Sequence, residues 1–409
     1  MKRFAWIFSV LLLITTVSVR ANPVRKTIWV DGFERAYLVY TPSHPSSENA
    51  SGMLVCLHGF GISMYDFFIE NNISSVADSL NLFIVVPQAL PEQNPLVNIK
   101  AAVLNSITNN QITLNSVWGC GLRIHITDLL LEMVLFNEEL NKEVDDVHFI
   151  DRMIDEVLAD YSLPPQNIFM LGTSMGGFMT YQYALRKGER LSGIISIAGS
   201  MGLEIKGMDY TTKIPVCDFH SVTDEIVSYT GSMEQYLTHI TLAKPKTDVI
   251  NYWRETNSTG NPVTEQIRHY PSTNGITVEK ITYPHAENEV IHYKINGSPH
   301  IYFFKKDNGD CMDYVEEITR FIFSHLSGSV RNTPVAANRA PSFYPNPADD
   351  IIYITTPDSY ITIYEITGKA LITQSRPSSH VDLSRLKPGL YIIRIQTGNT
   401  HHVDKLIKR

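Results

Sequence analysis

The chain has 409 residues, of which 44% are hydrophobic and 19% charged, so it is long and apolar enough for one large globular domain and a smaller one. Its 34 Lys and Arg against 42 Asp and Glu give a formal net charge of −8. Because the charge is negative and no long basic run occurs, the composition argues against a nucleic-acid partner.

Residues 1–21 have the pattern of a cleaved secretory signal peptide. Two basic residues precede an apolar run from Phe4 to about Val17, and small residues follow up to Ala21, where a signal peptidase cuts. The apolar run is shorter than the roughly 20 residues that a membrane-spanning helix needs. We therefore expect an exported protein.

The four cysteines are too few for a disulfide scaffold, although export would permit up to two bridges. Cys56 and Cys217 fall in predicted central strands, which favours buried thiols, whereas Cys120 falls in a predicted loop and is the better candidate for a bridge. Four cysteines, with Cys311 as the fourth, allow three disulfide pairings, and the sequence does not choose among them. No cysteine has CxxC or metal-ligand spacing, and we expect no metal or other cofactor.

The first third of the chain predicts a hairpin followed by a β-α-β unit. Apolar and polar residues alternate with a period of two on both sides of Asp31-Gly32, which is a strong signal for a β-hairpin. An apolar strand then ends in His58-Gly59-Phe60-Gly61, and a helix from Ile73 to Leu80 leads to a strand from Leu82 to Val86.

From Pro91 to about Glu143 the periodicity breaks down, apart from a short helix predicted over Asp128 to Leu135. Long irregular segments in compact domains are usually functional or disordered. We therefore expect this insert, which contains Trp118, to form a wall of the substrate site.

The next part of the chain alternates helices and strands. An amphipathic helix from Asp145 to Tyr161 leads to a buried strand from Asn167 to Leu171. Further strands are predicted at 193–197, 215–220, 278–284 and 289–295, and further helices at 247–256 and 313–326. This order predicts an α/β fold with a mostly parallel sheet, helices on both faces and the opening hairpin at one edge.

The segment Gly172-Thr173-Ser174-Met175-Gly176 follows the strand ending at Leu171 and precedes a helix. In this context GxSxG is typical of a nucleophile elbow, in which glycines permit a sharp turn and the serine hydroxyl is exposed above the sheet. We predict that Ser174 is a catalytic nucleophile.

A serine nucleophile needs a base and an acid, which follow it in this fold in the order acid, then histidine. The loop after the predicted strand 215–220 contains Asp224, our predicted acid, with Glu225 as its neighbouring alternative; Asp218 lies inside the strand. The Gly/Pro turn after the last sheet strand ends in His300, our predicted base. His285 and His292 are its competitors.

Two backbone N–H groups should form the oxyanion hole: that of Met175, directly after the nucleophile, and that of Phe60 in the His-Gly-Phe-Gly loop. Candidate substrate-binding side chains near these positions are His58, Trp118, Tyr229 and Tyr302.

The composition changes at Ser327. Residues 327–342 have no periodicity and are typical of a linker. Residues 343–409 consist of short alternating segments and turns, which predict a small all-β sandwich. The predicted organisation is thus a signal peptide (1–21), a catalytic domain (22–326), a linker (327–342) and a β-sandwich (343–409).

The chain from about Thr27 to Leu326 resembles the polyhydroxybutyrate depolymerase and feruloyl esterase group of α/β-hydrolases. The matching runs are LVCLHGFG, the stretch from Asp146 to Leu185 around GTSMG, and VIHYKINGSPH. The resemblance implies hydrolysis of a small-molecule or polymer ester by Ser174, His300 and Asp224. The chain departs from the group at Tyr302, where tryptophan is common, and around Trp118.

The last seventy residues resemble the C-terminal sorting domain of the Bacteroidetes type IX secretion system. The matching features are YPNPA from Tyr344, TGK from Thr367, LKPGLY from Leu386 and the basic end at Lys405 to Arg409. The resemblance implies recognition by the secretion machinery and either release or attachment to the cell surface once the domain is removed. A carbohydrate-binding β-sandwich is the alternative.

Two other functions stay open from the residues alone. A serine peptidase of the prolyl oligopeptidase class uses the same machinery, although the large N-terminal domain of that class is lacking. A surface adhesin that keeps the fold without catalysis is the third hypothesis, against which the intact serine, histidine and oxyanion glycines argue.

Overall fold

A computed structural model describes residues 23–42, 50–71, 73–107, 112–128, 133–203, 212–231, 241–269, 272–300, 311–327, 343–344, 346–354, 360–365, 367–374, 380–397 and 400–409. The predicted signal peptide, Tyr302 and linker residues 328–342 lie outside these ranges. Among the described helices, none is long and apolar enough to cross a membrane.

The large sheet has ten strands: β1 (Val24–Val30), β2 (Phe33–Tyr40), β3 (Gly52–Leu57), β4 (Leu82–Pro87), β7 (Ile168–Thr173), β8 (Gly193–Ile197), β9 (Val216–Ser221), β11 (Val263–Ile267), β12 (Thr277–Tyr283) and β13 (Val290–Asn296). A smaller sheet contains β5 (Arg123–Asp128), β6 (Met133–Glu139) and β10 (Thr241–Leu242). The helices are α1 (Met64–Glu70), α2 (Ser74–Leu80), α3 (Pro95–Ile107), α4 (Asp146–Tyr161), α5 (Met175–Lys187), α6 (Lys246–Thr256) and α7 (Tyr314–His325).

The ten strands are ordered β1-β2-β4-β3-β7-β8-β9-β13-β12-β11. The six central strands, from β4 to β13, run parallel, and antiparallel pairs flank them at both edges. The predicted opening hairpin is confirmed, with a register that pairs Val30 with Phe33 across Asp31-Gly32. Because the central strands are parallel, their carboxyl ends share one edge of the sheet, where ligands bind in open α/β folds.

The central strands are buried on both faces, as an all-parallel sheet requires. Along β3, Met53, Val55 and Leu57 pack into the hydrophobic core on one side and Leu54 and Cys56 into the core on the other. Helices α3, α4, α5 and α6 contribute to the first core and α1, α2 and α7 to the second. The predicted two-sided covering of the sheet is thus observed.

The insert between β4 and α4 differs from its prediction. The helix expected over Asp128 to Leu135 is wrong in the described residues: Asp128 ends β5, Met133 to Leu135 begin β6, and these two strands pair antiparallel. A helix, α3, precedes them. The physical reason is cross-strand pairing, since Thr127 pairs with Val134 and Asp128 with Met133. Backbone groups that bond across two strands are not free for the i to i−4 bonds of a helix.

Residues 343–409 form two antiparallel sheets. One contains β14 (Phe343–Tyr344), β15 (Ile351–Ile354) and β18 (His380–Asp382), and the other contains β16 (Tyr360–Glu365), β17 (Ala370–Thr373), β19 (Gly389–Thr397) and β20 (Thr400–Lys408). Their inward-facing residues share one hydrophobic core. This agrees with the small all-β domain that the alternating pattern predicts.

All four cysteines are buried, and none of them forms a disulfide. Cys120, the better bridge candidate by sequence, therefore differs from expectation. Its loop turns inward, and its Sγ lies 3.9 Å from the carbonyl oxygen of Met175.

A buried ion pair fixes the insert to the large sheet. Arg35 and Asp146 are 2% and 0% exposed, and Arg35 Nη2 lies 2.5 Å from Asp146 Oδ1. The second carboxylate oxygen accepts the backbone N–H of Gly119 at 2.7 Å, and the guanidinium stacks on Phe149. Although burial raises the pKa of Asp146, Arg35 opposes that rise.

We expect Arg35→Met to lower the free energy of unfolding by roughly 3–5 kcal/mol, because it leaves the Asp146 carboxylate buried without its cation. The matched control is Lys26→Met, which removes a partly exposed ion pair with Asp160 and should cost about 1 kcal/mol at most. Urea denaturation of both variants measures the difference. Equal losses would contradict a special role for the buried pair.

Candidate active site

The predicted nucleophile lies in a strained turn between β7 and α5. Ser174 has φ 52° and ψ −120°, a positive φ that residues with a Cβ seldom adopt. Its backbone N–H donates to Ile197 O at 2.8 Å, at the end of the neighbouring strand β8. Strain of this kind persists only where the surroundings hold it, and it points to function.

Close backbone packing explains the glycines of the GTSMG segment. A Cβ added to Gly172 would lie 2.0 Å from Gly176 O, and one added to Gly176 would lie 2.1 Å from Leu57 O. A side chain at either position would push β7, α5 and β3 apart. The motif is therefore required by packing as well as by the turn.

The structure brings Ser174, His300 and Asp224 into one line. His300 Nε2 lies 3.0 Å from Ser174 Oγ. His300 Nδ1 lies 2.8 and 2.9 Å from the two carboxylate oxygens of Asp224. Asp224 follows β9 and His300 follows β13, and because these strands are parallel neighbours, both loops reach the same edge of the sheet.

Backbone donors orient the Asp224 carboxylate. Its Oδ1 accepts the N–H groups of Ile226 at 2.9 Å and Val227 at 2.8 Å. Burial by itself would raise the pKa of Asp224, but the hydrogen bond and charge of His300 hold it below its usual value. Asp224 is therefore ionised at neutral pH and faces the imidazole as an acceptor.

The loop that carries His300 is tied to the loop that carries Asp224. The carbonyl oxygen of Ser298 accepts the hydroxyls of Ser221 and Thr223, and the His300 N–H donates to Glu225 Oε2 at 3.1 Å. Glu225, the alternative acid, thus contacts the backbone of His300, whereas Asp224 contacts its ring.

The other candidate acid, Asp218, and the other candidate bases, His285 and His292, lie outside the contact between Ser174, His300 and Asp224. Asp218 is buried inside β9, where its Oδ1 lies 2.7 Å from Lys246 Nζ and its Oδ2 lies 2.8 Å from His292 Nδ1. His285 lies in the connection between β12 and β13, and its Nδ1 accepts the N–H groups of Glu287 and Asn288.

The two predicted oxyanion donors flank Ser174. Met175 is the first residue of α5, and Phe60 follows Gly59, whose added Cβ would lie 3.4 Å from Ser174 Cβ. Within the described part of the chain, neither the Phe60 nor the Met175 N–H donates to a protein acceptor. Both are therefore available to an oxygen on a reacting group.

His58 and Trp118 differ from their prediction as substrate-binding side chains, because both are 0% exposed. The ring of His58 contacts Gly59 O through Nδ1 at 2.8 Å and accepts the Ala89 N–H on Nε2 at 3.1 Å. Burial lowers the pKa of His58 to about 4, so the ring is neutral. The Trp118 ring packs beside it at a tilt, with centroids 4.9 Å apart, and its indole N–H donates to His58 O at 2.9 Å. Both side chains therefore support the backbone of residues 58–61, which we call the oxyanion loop.

Tyr229 is half-buried, and its hydroxyl lies 2.9 Å from His292 Nε2. Tyr302 lies outside the described residues. Sequence reasoning also missed Gln88, directly after β4, whose Oε1 accepts the Met64 N–H at 2.8 Å and whose Nε2 donates to Ser116 Oγ at 2.7 Å. A polar residue at the end of a parallel strand was the available signal.

One group of potential metal ligands occurs in the described ranges: His269, Glu316 and Glu317. Lys280 Nζ lies 3.1 Å from Glu317 Oε2, and Arg320 Nη2 lies 2.6 Å from Glu316 Oε1. These cations already compensate both carboxylates, so the group is built as an ion-pair cluster.

Residues 136–270 match the sequence profile of the phospholipase/carboxylesterase family, and residues 342–409 match that of the secretion system C-terminal sorting domain. The first match contains the GTSMG turn and the Asp224 loop. This chain is a serine ester hydrolase. The second match places the enzyme among cargo of the type IX secretion system, exported to the cell surface or the extracellular space.

Solved structures with the α/β-hydrolase fold are similar to the chain. An acetyl xylan esterase from Aspergillus awamori is 12% identical, with a TM-score of 0.45 over 73% of this chain and 99% of that chain. An S-formylglutathione hydrolase from Agrobacterium tumefaciens is 11% identical, with a TM-score of 0.45 over 75% and 96%. These values are too low for the neighbours' substrates to bear on this hydrolase. No curated protein sequence matches it.

Asp224→Asn should lower kcat by roughly 10³- to 10⁴-fold, because an amide donor facing Nδ1 favours the wrong tautomer of the His300 ring. Glu225→Gln is the matched control and should lose about tenfold at most, since it alters only a backbone contact. Steady-state hydrolysis of a chromogenic short-chain ester measures both. A larger loss in E225Q than in D224N would exchange their roles.

The stability of the fold should fall as the pH drops from about 6.5 to about 4. Burial lowers the pKa of His58 and of His220 to about 4, so between these limits the unfolded chain binds protons that the folded chain does not. Each histidine should remove about 1.4 kcal/mol of unfolding free energy per pH unit. Urea denaturation across this range measures the slope, which His58→Gln should reduce. An unchanged slope in H58Q would contradict a neutral buried His58.

Proposed function

We propose that Ser174, His300 and Asp224 form a catalytic triad that hydrolyses carboxylic esters through an acyl-enzyme. The observation that carries the proposal is the continuous contact from Ser174 Oγ to His300 Nε2 at 3.0 Å and from His300 Nδ1 to Asp224 at 2.8 Å. A serine hydroxyl becomes nucleophilic when a neighbouring base takes its proton, and this geometry supplies that base.

In the first half-reaction, Ser174 Oγ attacks the ester carbonyl carbon while His300 Nε2 takes the hydroxyl proton. The carbonyl oxygen becomes an oxyanion, for which the N–H groups of Phe60 and Met175 are our proposed donors. The protonated His300 then gives its proton to the alcohol oxygen as the ester bond breaks. Asp224 stabilises the imidazolium and holds its tautomer.

In the second half-reaction, a water molecule replaces the alcohol. His300 takes one proton from this water, whose oxygen attacks the acyl carbon, and the same proton returns to Ser174 Oγ as the acid leaves. The positive φ of Ser174 supports this role, because it directs the side chain out of the sheet edge towards both the base and the oxyanion loop.

A cavity of about 340 Å³ adjoins the oxyanion loop and supports an ester with a polar portion. Its lining contains polar side chains from Glu34, Ser63, Gln88, Asn115 and Ser116 together with apolar Ala36, Ala89, Leu90 and Pro91. Gly61 of the oxyanion loop also borders it, whereas Ser174, His300, Phe60 and Met175 are not among its lining residues. A compact cavity lined by both apolar and polar groups suits an ester whose bulky portion also carries oxygen atoms. We therefore propose a substrate of the feruloyl ester or hydroxyalkanoate ester class in preference to a lipid.

We also propose the domain limits expected from the sequence: a signal peptide at 1–21, the catalytic domain at 22–326, a linker at 327–342 and the sorting domain at 343–409. The separate hydrophobic cores on either side of the linker support them.

Ser174→Ala should abolish hydrolysis of short-chain, feruloyl and hydroxybutyrate esters, with a loss of about 10⁶-fold in kcat, because no other group supplies the attacking oxygen. It should also abolish covalent labelling by a fluorophosphonate probe. Ser79→Ala, in α2, is the matched control and should leave both unchanged.

The ester panel also tests the substrate class. Higher kcat/KM for feruloyl or hydroxybutyrate esters than for long-chain fatty esters supports the proposed class. Full activity in S174A would overturn the mechanism, and a preference for peptide substrates would favour the peptidase hypothesis.

A further inference from the structure

A buried histidine that the proposed mechanism does not use lies behind the catalytic acid. His220 is the fifth residue of β9 and is 0% exposed. Its Nε2 lies 2.8 Å from Val227 O and 3.5 Å from Asp224 Oδ2, while its Nδ1 lies 3.1 Å from Gly199 O. The ring thus contacts the loop of the acid on one side and the segment after β8 on the other.

Val227 links this histidine to Asp224. Its carbonyl oxygen contacts His220, and its N–H donates to Asp224 Oδ1 at 2.8 Å. A shift of Val227 would therefore move the donor that sets the plane of the carboxylate. That plane decides whether Asp224 meets His300 Nδ1 with both oxygens, as it does here.

Lys246 settles which nitrogen of His220 carries the proton. Nε2 faces two acceptors, Val227 O at 2.8 Å and Asp224 Oδ2 at 3.5 Å. Of the acceptors that the structure describes, Nδ1 faces only Gly199 O, at 3.1 Å, and that carbonyl also accepts the Lys246 ammonium at 2.6 Å. Burial and the neighbouring Lys246 charge lower the pKa of His220 to about 4, so the ring is neutral and has one N–H to give. We assign that N–H to Nε2.

The same ammonium holds this arrangement against the nucleophile helix. Lys246 is 1% exposed and lies 2.7 Å from Asp218 Oδ1, which also accepts the hydroxyl of Tyr181 in α5 at 2.8 Å. The buried charges therefore connect α5, which begins beside Ser174, to β9, which leads to Asp224. A matched cation and carboxylate are required because either one buried alone is costly.

We propose that His220 is a positioning residue for the triad: its Nε2–H fixes Val227, and Val227 in turn aims the Asp224 carboxylate at His300. The inference rests on the proposed function of Ser174, His300 and Asp224. It predicts that the position of the donor on residue 220, rather than the bulk of the side chain, sets the rate.

Two substitutions separate the two donor positions. In His220→Gln the amide nitrogen replaces Nε2 and can still reach Val227 O. In His220→Asn it replaces Nδ1 and can reach only Gly199 O. His325→Asn, at the buried end of α7, is the matched control for the loss of a buried histidine.

We expect H220Q to retain kcat within about threefold of the wild type and H220N to lose about 10- to 100-fold, because misplaced catalytic groups cost rates of that order. KM should change little in both. All values are normalised to the fraction of sites that a fluorophosphonate labels, and the thermal midpoint is measured beside them.

The pH profile gives a readout that a purely structural residue would not move. A carboxylate beside an imidazole raises the pKa of the imidazole, so a misaimed Asp224 should move the acid limb of kcat/KM in H220N down by roughly one pH unit. Among the described residues, the charged or titratable groups that face His220 include Asp224, Asp218, Lys246 and Tyr229, and those that face His300 include Asp224 and Glu225. All are retained in both variants.

Equal rates and equal acid limbs in H220Q and H220N would overturn the inference while leaving the triad in place. If H220N does not fold, H220Q decides: a loss of tenfold or more in kcat, or failure to fold, contradicts the role of Nε2. If hydrolysis survived the substitution Ser174→Ala, the proposed function itself would be overturned. The failure of the inference and the failure of the proposed function are therefore distinguishable.

Discussion

The turn at Ser174 depends on backbone packing so close that no side chain fits within it. β3, β7 and α5 meet through Gly172, Gly176 and the carbonyl of Leu57, and an added methyl group would approach a carbonyl oxygen to about 2 Å. On the far side, Gly177 of α5 packs against Gly199, after β8. This contact lets the helix begin directly beneath the serine. The positive φ of Ser174 is thus held by four elements at once, and its strain is supported by the core.

The acid and base are supported by polar contacts instead. Asp224 and His300 lie on loops, but the strands before those loops pair in parallel register, from Val290 with Val216 to Ile295 with Ser221. The two loops are then joined through Ser298 and Glu225 and backed by His220. Loop residues reach the precision that proton transfer requires because hydrogen bonds join each of the two loops to the other.

Buried charge is concentrated on both sides of the site. On one side Arg35 of β2 pairs with Asp146 of α4, and on the other Lys246 of α6 pairs with Asp218 of β9. Such pairs add little stability compared with apolar packing, but they are directional. Their hydrogen bonds fix Gly119 and Gly199, two backbone segments that border the oxyanion loop and the nucleophile helix.

The sequence by itself determined most helices and strands of the large sheet, the nucleophile turn and the small all-β domain, because these depend on local periodicity and on glycine spacing. It also placed candidate residues Asp224 and His300, since the ends of parallel strands must share an edge. It could not determine the hairpin of the insert or the burial of His58, Trp118 and Cys120, because those depend on which surface a loop folds against. Only the tertiary structure brought Lys246, Asp218 and His220 together. Lys246 is 26 positions from His220 and 28 from Asp218 in the chain, and it meets them because α6 packs against the sheet. An isolated lysine at a helix start gives no local sign that its ammonium is buried.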